Sequence, residues 1–570
     1  MGDKNQIPTL CRQEGEVTAD EDKSQLFSEF FSNVFIQDDG KLPVFAPYRT
    51  LPKTKHSVLH FANQISSEFV YDILIRLPNK HSTGPDGIPA YFYKRLAPVL
   101  AAPLAKIFRV SLITCQIPSI WLKSFVVPIF KLKGNPSEIS NYRPISLLCE
   151  AFKFFERVML RFLHSISVDS LIPPEQHGFR KKYSTATQLV SSYLPIFESF
   201  NRKTKYNLIL LDVKKAFDTV SHQKLLYKLR ALNIPDPLCD WFAVYLCNRT
   251  FQVKINNNFS IPCPISSGVP QGSICGPLLF SLYTAELPAL SIRPVNSGLF
   301  ADDNKLGAPA TPEGNAALST TLDRIGLWYE DWQLLLSVEK CSHLEIGVGA
   351  DNAAANDFSL QGSVIQKVNE CRDLGVLVDR KLSFKSHIDL IVKKAFRKSF
   401  QIRKSFGTHD AQFLAKLFVA FVRPSLEYAS FLWSPHATGQ IAKIERVQRK
   451  FTKYILRNNS LSYADRLKTL NLRPLSERRS IDDISLLHSF VHHHIPVPDS
   501  FKNSVTQITH RTRGNSLRLK IRERPRSDVV KFSWLYRAVR TWNNLPEEMV
   551  YANSSVMLKR KLSESLHYLG

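Results

Sequence analysis

What the sequence lacks narrows it first. Nine cysteines are scattered over 570 residues and no two stand as Cys-x-x-Cys. That spacing speaks against a disulfide framework and a zinc finger, and for reduced thiols in a nuclear and/or cytoplasmic setting. No apolar run approaches the ~20 residues needed to cross a bilayer, so no membrane partner is expected. Residues 1–6 show no secretory pattern, and Gln6 stands where a myristoylation signal on Gly2 would want Ser or Thr. No internal repeat is evident. Acidic residues are in short supply: 50 Asp+Glu against 75 Lys+Arg leave a formal charge of +25. Such an excess favours a polyanionic partner, nucleic acid ahead of an anionic membrane. With 44% hydrophobic and 22% charged residues the chain is globular, and its length implies several domains.

Residues 1–20 read as loose. Leu26, Phe27, Phe30, Phe31, Val34 and Phe35 then recur at helical spacing, which predicts an amphipathic helix packed on the next domain. Gly40, Pro43, Pro47 and Pro52 mark a linker. The intervals read from the sequence are 1–60 for the N-terminal helix and linker, 61–380 for a mixed α+β domain with its core at about 120–380, 381–495 for a mostly helical part and 496–570 for a basic C-terminal region. Within the helical part, Ile388, Ile391, Val392 and Ala395 form one stripe. Leu414, Leu417, Phe418 and Phe421 form another, which Pro424 is expected to stop.

Carboxylates stand out against this frame. Leu208-Ile209-Leu210-Leu211 is an apolar run suited to a strand buried on both faces, and Asp212 follows it. Val220, Leu225, Leu226, Leu229 and Leu232 then predict a helix. Phe300-Ala301-Asp302-Asp303-Asn304 predicts a tight hairpin. An isolated Asp-Asp pair is most often a plain turn. A pair on a hairpin beside a third Asp at a strand end is different, because three closely spaced carboxylates repel one another unless cations sit among them. Nucleotidyl transfer needs two divalent cations about 4 Å apart, and hard cations take carboxylate oxygens.

At this point the motifs become recognisable. Leu211-Asp212-Val213-Lys214-Lys215-Ala216-Phe217-Asp218-Thr219-Val220 closely resembles motif A of the reverse transcriptases of non-LTR (LINE-type) retrotransposons. Ser267-Gly268-Val269-Pro270-Gln271-Gly272-Ser273 is similar to motif B, and Phe300-Ala301-Asp302-Asp303 to motif C, in the family's order. Gly84-Pro85-Asp86-Gly87-Ile88, Asn141-Tyr142-Arg143-Pro144-Ile145-Ser146 and Gln176-His177-Gly178-Phe179-Arg180 resemble segments of its fingers. Asp373-Leu374-Gly375-Val376 resembles motif E. Val422-Arg423-Pro424-Ser425-Leu426-Glu427-Tyr428-Ala429 and Ile444-Glu445-Arg446-Val447-Gln448-Arg449 resemble the thumb of jockey-like elements.

The resemblance implies a right-hand polymerase of α+β class, with fingers, palm and a mostly helical thumb, that copies an RNA template into DNA from dNTPs on a DNA primer or target. It implies that Asp212, Asp302 and Asp303, with the Val213 carbonyl, hold two Mg²⁺ ions, with Mn²⁺ an alternative. It places Phe217 under the incoming sugar, where a bulky ring excludes a 2′ hydroxyl; the plainer reading is a core Phe. Gln271 and Gly272 would meet the nucleotide or template. Lys131 and Arg143 are the fingers cations for the triphosphate, with Lys133 open as an alternative to Lys131. Arg143 can grip two oxygens at once. Lys340 falls near the motif D lysine, a proton donor to pyrophosphate, or else is a solvated lysine. Asp218 reads as a helix-start or structural residue.

Some features depart from the family or stand outside it. Asn304 follows the Asp pair where a β-branched residue is usual. Gly307-Ala308-Pro309 is expected to shorten the second hairpin strand, and Asn296-Ser297-Gly298 is weak strand material. Residues 511–526, with seven Arg/Lys, read as a phosphate-tracking or solvated basic segment. His492-His493-His494 reads as a surface tract. Nothing before residue 60 is long enough for an endonuclease, and no RNase H-like domain is visible after the thumb. The expectation is the polymerase part of a larger element, a truncated copy or a host-retained fragment. The competing readings are a catalytically weak or domesticated RNA-binding relic and, more distantly, a group II intron maturase-like splicing factor. Intact Asp212, Asp302 and Asp303 favour the enzyme.

Overall fold

The computed structural model describes residues 7–564 except 13–14, 55, 348, 350–356, 409, 459 and 509–515. The readings of residues 1–6 and of 511–515 in the basic segment lie outside the described residues. The fold is a mixture of helix and strand in two compact units. The first comprises Met1–Phe179, Asp212–Leu290 and Asp323–Ser337; the second Arg180–Leu211, Ser291–Leu322 and Val338–Gly570. Each has one principal sheet. In chain order the strands of these two sheets are β1 (Lys123–Phe130), β2 (Tyr142–Leu147), β3 (Tyr206–Leu211), β4 (Thr250–Ile255), β5 (Asn258–Phe259), β6 (Cys263–Pro264), β7 (Asn296–Phe300), β8 (Asp303–Pro309), β9 (Ser342–Ile346) and β10 (Gln366–Lys367).

In the first unit the sheet order is β2-β1-β4-β5, with β6 also on β4. β1 pairs with β2 antiparallel and with β4 parallel. The predicted N-terminal helix is Asp20–Ser32. It buries Phe27 and Phe31 against Val126, Tyr142, Phe251 and Val253 of that sheet, with the Phe27 ring edge-on to Tyr142 at 5.0 Å. The helix predicted after Asp212 runs His222–Ala231 and buries Leu225 and Leu229. The helix Ala97–Thr114 corrects one expectation, because by length and composition alone it is long and apolar enough to cross a membrane. It carries Lys106 and Arg109 and packs one face into the first unit. Ala101, Leu104, Ala105, Phe108 and Leu112 are buried, and Phe108 stacks on Phe155 at 4.7 Å.

In the second unit the sheet order is β10-β9-β3-β8-β7. β3 lies between β9 and β8, antiparallel to both, and its apolar run is buried as predicted. Two expectations fail here. β8 is not shortened: Gly307, Ala308 and Pro309 pair with Leu208, Asn207 and Tyr206. Gly307 fits because the Tyr206 ring lies where its Cβ would be, 2.6 Å away. Pro309 lies beyond the last pair with β7, so its missing N–H costs nothing on that side. Asn296-Ser297-Gly298 is a strand all the same.

The helical remainder holds the predicted stripes, with Ile388, Ile391, Val392 and Ala395 buried in the helix Lys385–Ser405. Pro424 does not end the second stripe. The helix Ala411–Leu417 widens into a π turn at Phe418–Val422, closed by the Arg423 N–H on the Phe418 carbonyl. The wide turn admits the proline without breaking the chain's helical course, and it turns Phe421 to solvent. The His tract lies at the surface, with His493 exposed, and is anchored where the His492 ring nitrogen donates to the Val550 carbonyl at 2.6 Å.

Candidate active site

Five of the residues expected to meet a nucleotide, Lys131, Arg143, Phe217, Gln271 and Gly272, lie inside the first unit. Arg143 lies on β2 opposite Ile129 of β1 and is exposed. Lys131 follows β1 directly, and its ammonium donates to the Ser140 carbonyl at 2.6 Å. Three positions beyond Arg143, the Ser146 N–H donates to the Gln271 carbonyl at 3.1 Å, tying β2 to the 267–273 loop. The loop is tied in turn to residues 217–218. The Val269 N–H donates to the Phe217 carbonyl at 2.8 Å, and Ser267 Oγ to the Asp218 carbonyl at 2.7 Å.

Two glycines make this closeness possible. Gly268 has φ +90°, and a Cβ there would lie 2.7–2.8 Å from Asp218 backbone atoms; Gly272 has φ +111°, and its Cβ would lie 2.8 Å from the Ser146 carbonyl oxygen. Only a residue without a side chain permits both the backbone conformation and the approach.

Phe217 stacks on Phe280, with ring centres 4.4 Å apart and planes 17° apart, and meets Phe179 edge-on at 5.9 Å. It is partly exposed, so it is not wholly a core residue. Asp218 is not a helix cap. That role falls to Ser221, whose Oγ accepts the Lys224 N–H at 3.1 Å. Asp218 instead holds Gln271, whose Nε2 donates to both carboxylate oxygens at 3.1 and 3.0 Å. Burial pushes the Asp218 carboxyl up to about 6, with Lys215 and the Gln271 amide pulling the other way.

In the second unit the Asp pair sits at a two-residue hairpin turn. Asp303 pairs with Phe300, leaving Ala301 and Asp302 as the turn. Ala301 has φ +59°, a left-handed conformation that costs an alanine about 1–2 kcal/mol. Asp302 and Asp303 are exposed while Asn304 is buried. Asn304 pairs with Leu211, the last residue of β3, and Asp212 is the next residue along the chain. Within the first unit, the Asp212 carbonyl accepts the Ser337 N–H at 2.8 Å, and Val213 bridges to Leu336. Lys340 ends a 3-10 turn in the second unit and is exposed.

Among the described residues no three His, Cys, Asp or Glu side chains stand together as a ready-made metal cage. The donors that the chain presents at the hairpin and after β3 are carboxylates, the ligand type that hard divalent cations take.

One pair escaped the sequence reading. Lys305 on β8 and Asp373 form a buried ion pair, both side chains under 5% exposed. Lys305 lies two residues after Asp303 and so on the same face of β8. Asp373 opens the segment that resembles motif E. The alternation along β8 was the available signal.

Residues 131–378 match the reverse transcriptase (RNA-dependent DNA polymerase) family, and they are a reverse transcriptase domain, a class of domain that generally depends on divalent metal. The wider chain is similar to RNA-directed DNA polymerases from transposons and mobile elements. It is 28% identical, over 435 residues, to a probable RNA-directed DNA polymerase from transposon BS of Drosophila melanogaster; the match covers 73% of this chain and 47% of that protein. It is 29% identical, over 405 residues, to the RNA-directed DNA polymerase from mobile element jockey of the same fly, covering 69% and 44%. A retrovirus-related Pol polyprotein from type-1 retrotransposable element R2 of Popillia japonica is 27% identical over 188 residues, 30% of each chain. The chain spans less than half the length of the two fly relatives.

Proposed function

We propose that the protein is an RNA-directed DNA polymerase that adds dNTPs to the 3′ hydroxyl of a DNA primer or nicked target along an RNA template. The observation that carries this is a strand register. Asn304, next to Asp303, pairs with Leu211, the residue that precedes Asp212 in the chain. That supports Asp212, Asp302 and Asp303, with the Val213 carbonyl, as the ligands of two Mg²⁺ or Mn²⁺ ions. Bound there, the ions would activate the primer hydroxyl and neutralise the leaving pyrophosphate.

The chain's own residues would do the rest. Lys131 and Arg143 would bind the triphosphate, and Phe217 would bar a 2′ hydroxyl. Gly272 would let the backbone approach the nucleotide, Gln271 would contact it, and Lys340 would return a proton to pyrophosphate. In this reading the sheet of the second unit belongs to a palm, the β1–β2 hairpin to fingers and the helices after residue 381 to a thumb. Nine free thiols fit a reducing compartment, nuclear and/or cytoplasmic.

Primer extension on poly(rA)/oligo(dT) with Mg²⁺ tests the proposal. Incorporation of dTMP that stops on chelation is the expected result. Template binding without incorporation would make the chain an RNA-holding relic.

A further inference from the structure

Gln271 can offer a ligand either the two hydrogens of its amide nitrogen or the lone pairs of its carbonyl oxygen. In this structure one N–H of that nitrogen is taken. Nε2 lies 3.1 and 3.0 Å from the two oxygens of Asp218. The opposite rotamer would set an amide oxygen against a carboxylate, two acceptors face to face. Both partners are anchored at the backbone. Asp218 is held through its backbone by Ser267 Oγ at 2.7 Å, by its own N–H on the Lys215 carbonyl at 2.8 Å and by the close approach of Gly268. Gln271 is held through its carbonyl by the Ser146 N–H. Both residues line one pocket with Pro144 and Ser146 of β2 and with Phe31 and Phe35.

We propose that Asp218 is a positioning residue: by holding the Gln271 amide nitrogen it turns the amide oxygen toward the incoming nucleotide. The inference rests on the polymerase reading and sharpens it. An outward acceptor cannot serve a triphosphate, whose oxygens are acceptors too. It assigns Gln271 to a hydroxyl or N–H donor on the sugar or base, and leaves the phosphates to Lys131 and Arg143.

The arrangement depends on the charge of Asp218. Burial raises its carboxyl toward neutrality, and Lys215 on its own turn favours the ionised form. From the 267–273 loop it faces Gln271 and Ser267, and from the pocket walls Pro144, Ser146, Phe31 and Phe35, none of which titrates. Protonation would convert one oxygen from acceptor to donor and release one face of the amide.

The test is steady-state primer extension by the full chain between pH 5.5 and 8.5. Wild-type protein is compared with Asp218→Asn and with Gln271→Met, which keeps the shape of the side chain without its amide. At pH 8, Asp218→Asn is expected to raise the KM for dTTP about tenfold with a much smaller change in kcat, the scale of one charge-assisted hydrogen bond. The wild-type KM should rise below pH 6.5 and converge on that of Asp218→Asn, whose own profile is flat there. Gln271→Met should show the same flat profile, and the double variant should be no worse than Gln271→Met alone. Unfolding midpoints check that each variant folds; if Asp218→Asn does not, the profile of Gln271→Met decides. A variant that keeps the wild-type KM at pH 8, or the wild-type acid limb, overturns the assignment. If wild-type protein extends no primer at any pH, the polymerase reading falls, and this one with it. Extension with unaltered variants removes this one alone.

Discussion

Lys305 Nζ lies 2.5 and 2.6 Å from the two carboxylate oxygens of Asp373 in a site closed to solvent. The turn that follows Asp373 is held from its other side by Tyr428, whose hydroxyl donates to the Leu374 carbonyl at 2.8 Å. A buried charge without its partner is costly, so Lys305→Met should destabilise the protein by about 3–5 kcal/mol. Adding Asp373→Leu should recover most of that loss, because an apolar pair of similar volume needs no desolvation. Urea unfolding of the two variants reads both effects. A single variant as stable as wild type would show that the pair carries no net burden.

Asp302→Asn should abolish primer extension while leaving affinity for a template–primer duplex nearly intact. The change keeps the side-chain shape at an exposed turn and removes only the charge that a divalent cation needs. Extension at the wild-type rate would overturn the metal assignment.

Phe217→Ala should admit ribonucleotides, measured as the ratio of kcat/KM for dTTP and UTP. The stacked contact with Phe280 is lost as well, so a drop in stability accompanies the change. Continued rejection of UTP by folded protein would mean that another side chain guards the sugar.

Gly268→Ala should raise the KM for dNTP and cost about 1–3 kcal/mol, since the new methyl would press on Asp218 backbone and alanine resists φ +90°. Unfolding and steady-state kinetics on the same preparation check this. Wild-type values for both would mean that the loop has freedom the structure does not display.

Acid should loosen the second unit through its histidines. Burial pushes His343, His387 and His488 down to about 4, with Lys367, Arg372 and His492 respectively adding to the effect. The unfolded chain takes up these protons near pH 6.5 and the folded chain only near pH 4, so stability falls as pH falls through that window. Each histidine contributes on the order of 3 kcal/mol by pH 4. Asp483, raised to about 6 by burial, acts in the opposite sense below pH 6 and offsets part of the loss. Urea midpoints at pH 7 and 4.5 measure the net drop, and His343→Gln should shrink it. An undiminished drop would assign the acid sensitivity to other groups.

The sheet strand before Asp212 and the hairpin at Asp302 were legible because local pattern suffices for them. Four apolar residues in a row specify a strand between two neighbours, and adjacent Asp residues tolerate a tight turn. The failures needed tertiary information. Gly307 looks like a strand breaker until the Tyr206 ring is seen over it. Pro424 looks like a helix stop until the widened turn before it is seen. In the site, residue types were legible and pairings were not. Nothing local told that Gln271 and Asp218, 53 positions apart, would face each other, or that Lys305 would find Asp373 rather than solvent.

The helix Asp20–Ser32 lies on the sheet of the first unit and covers Val126, Tyr142 and Phe251. An excised piece of the chain that began at residue 60, well ahead of the family match at 131, would bare that sheet face to water. Such a fragment should be sticky and poorly soluble whatever chemistry it retains. The useful upstream cut for recombinant work therefore falls before the helix, not after the linker.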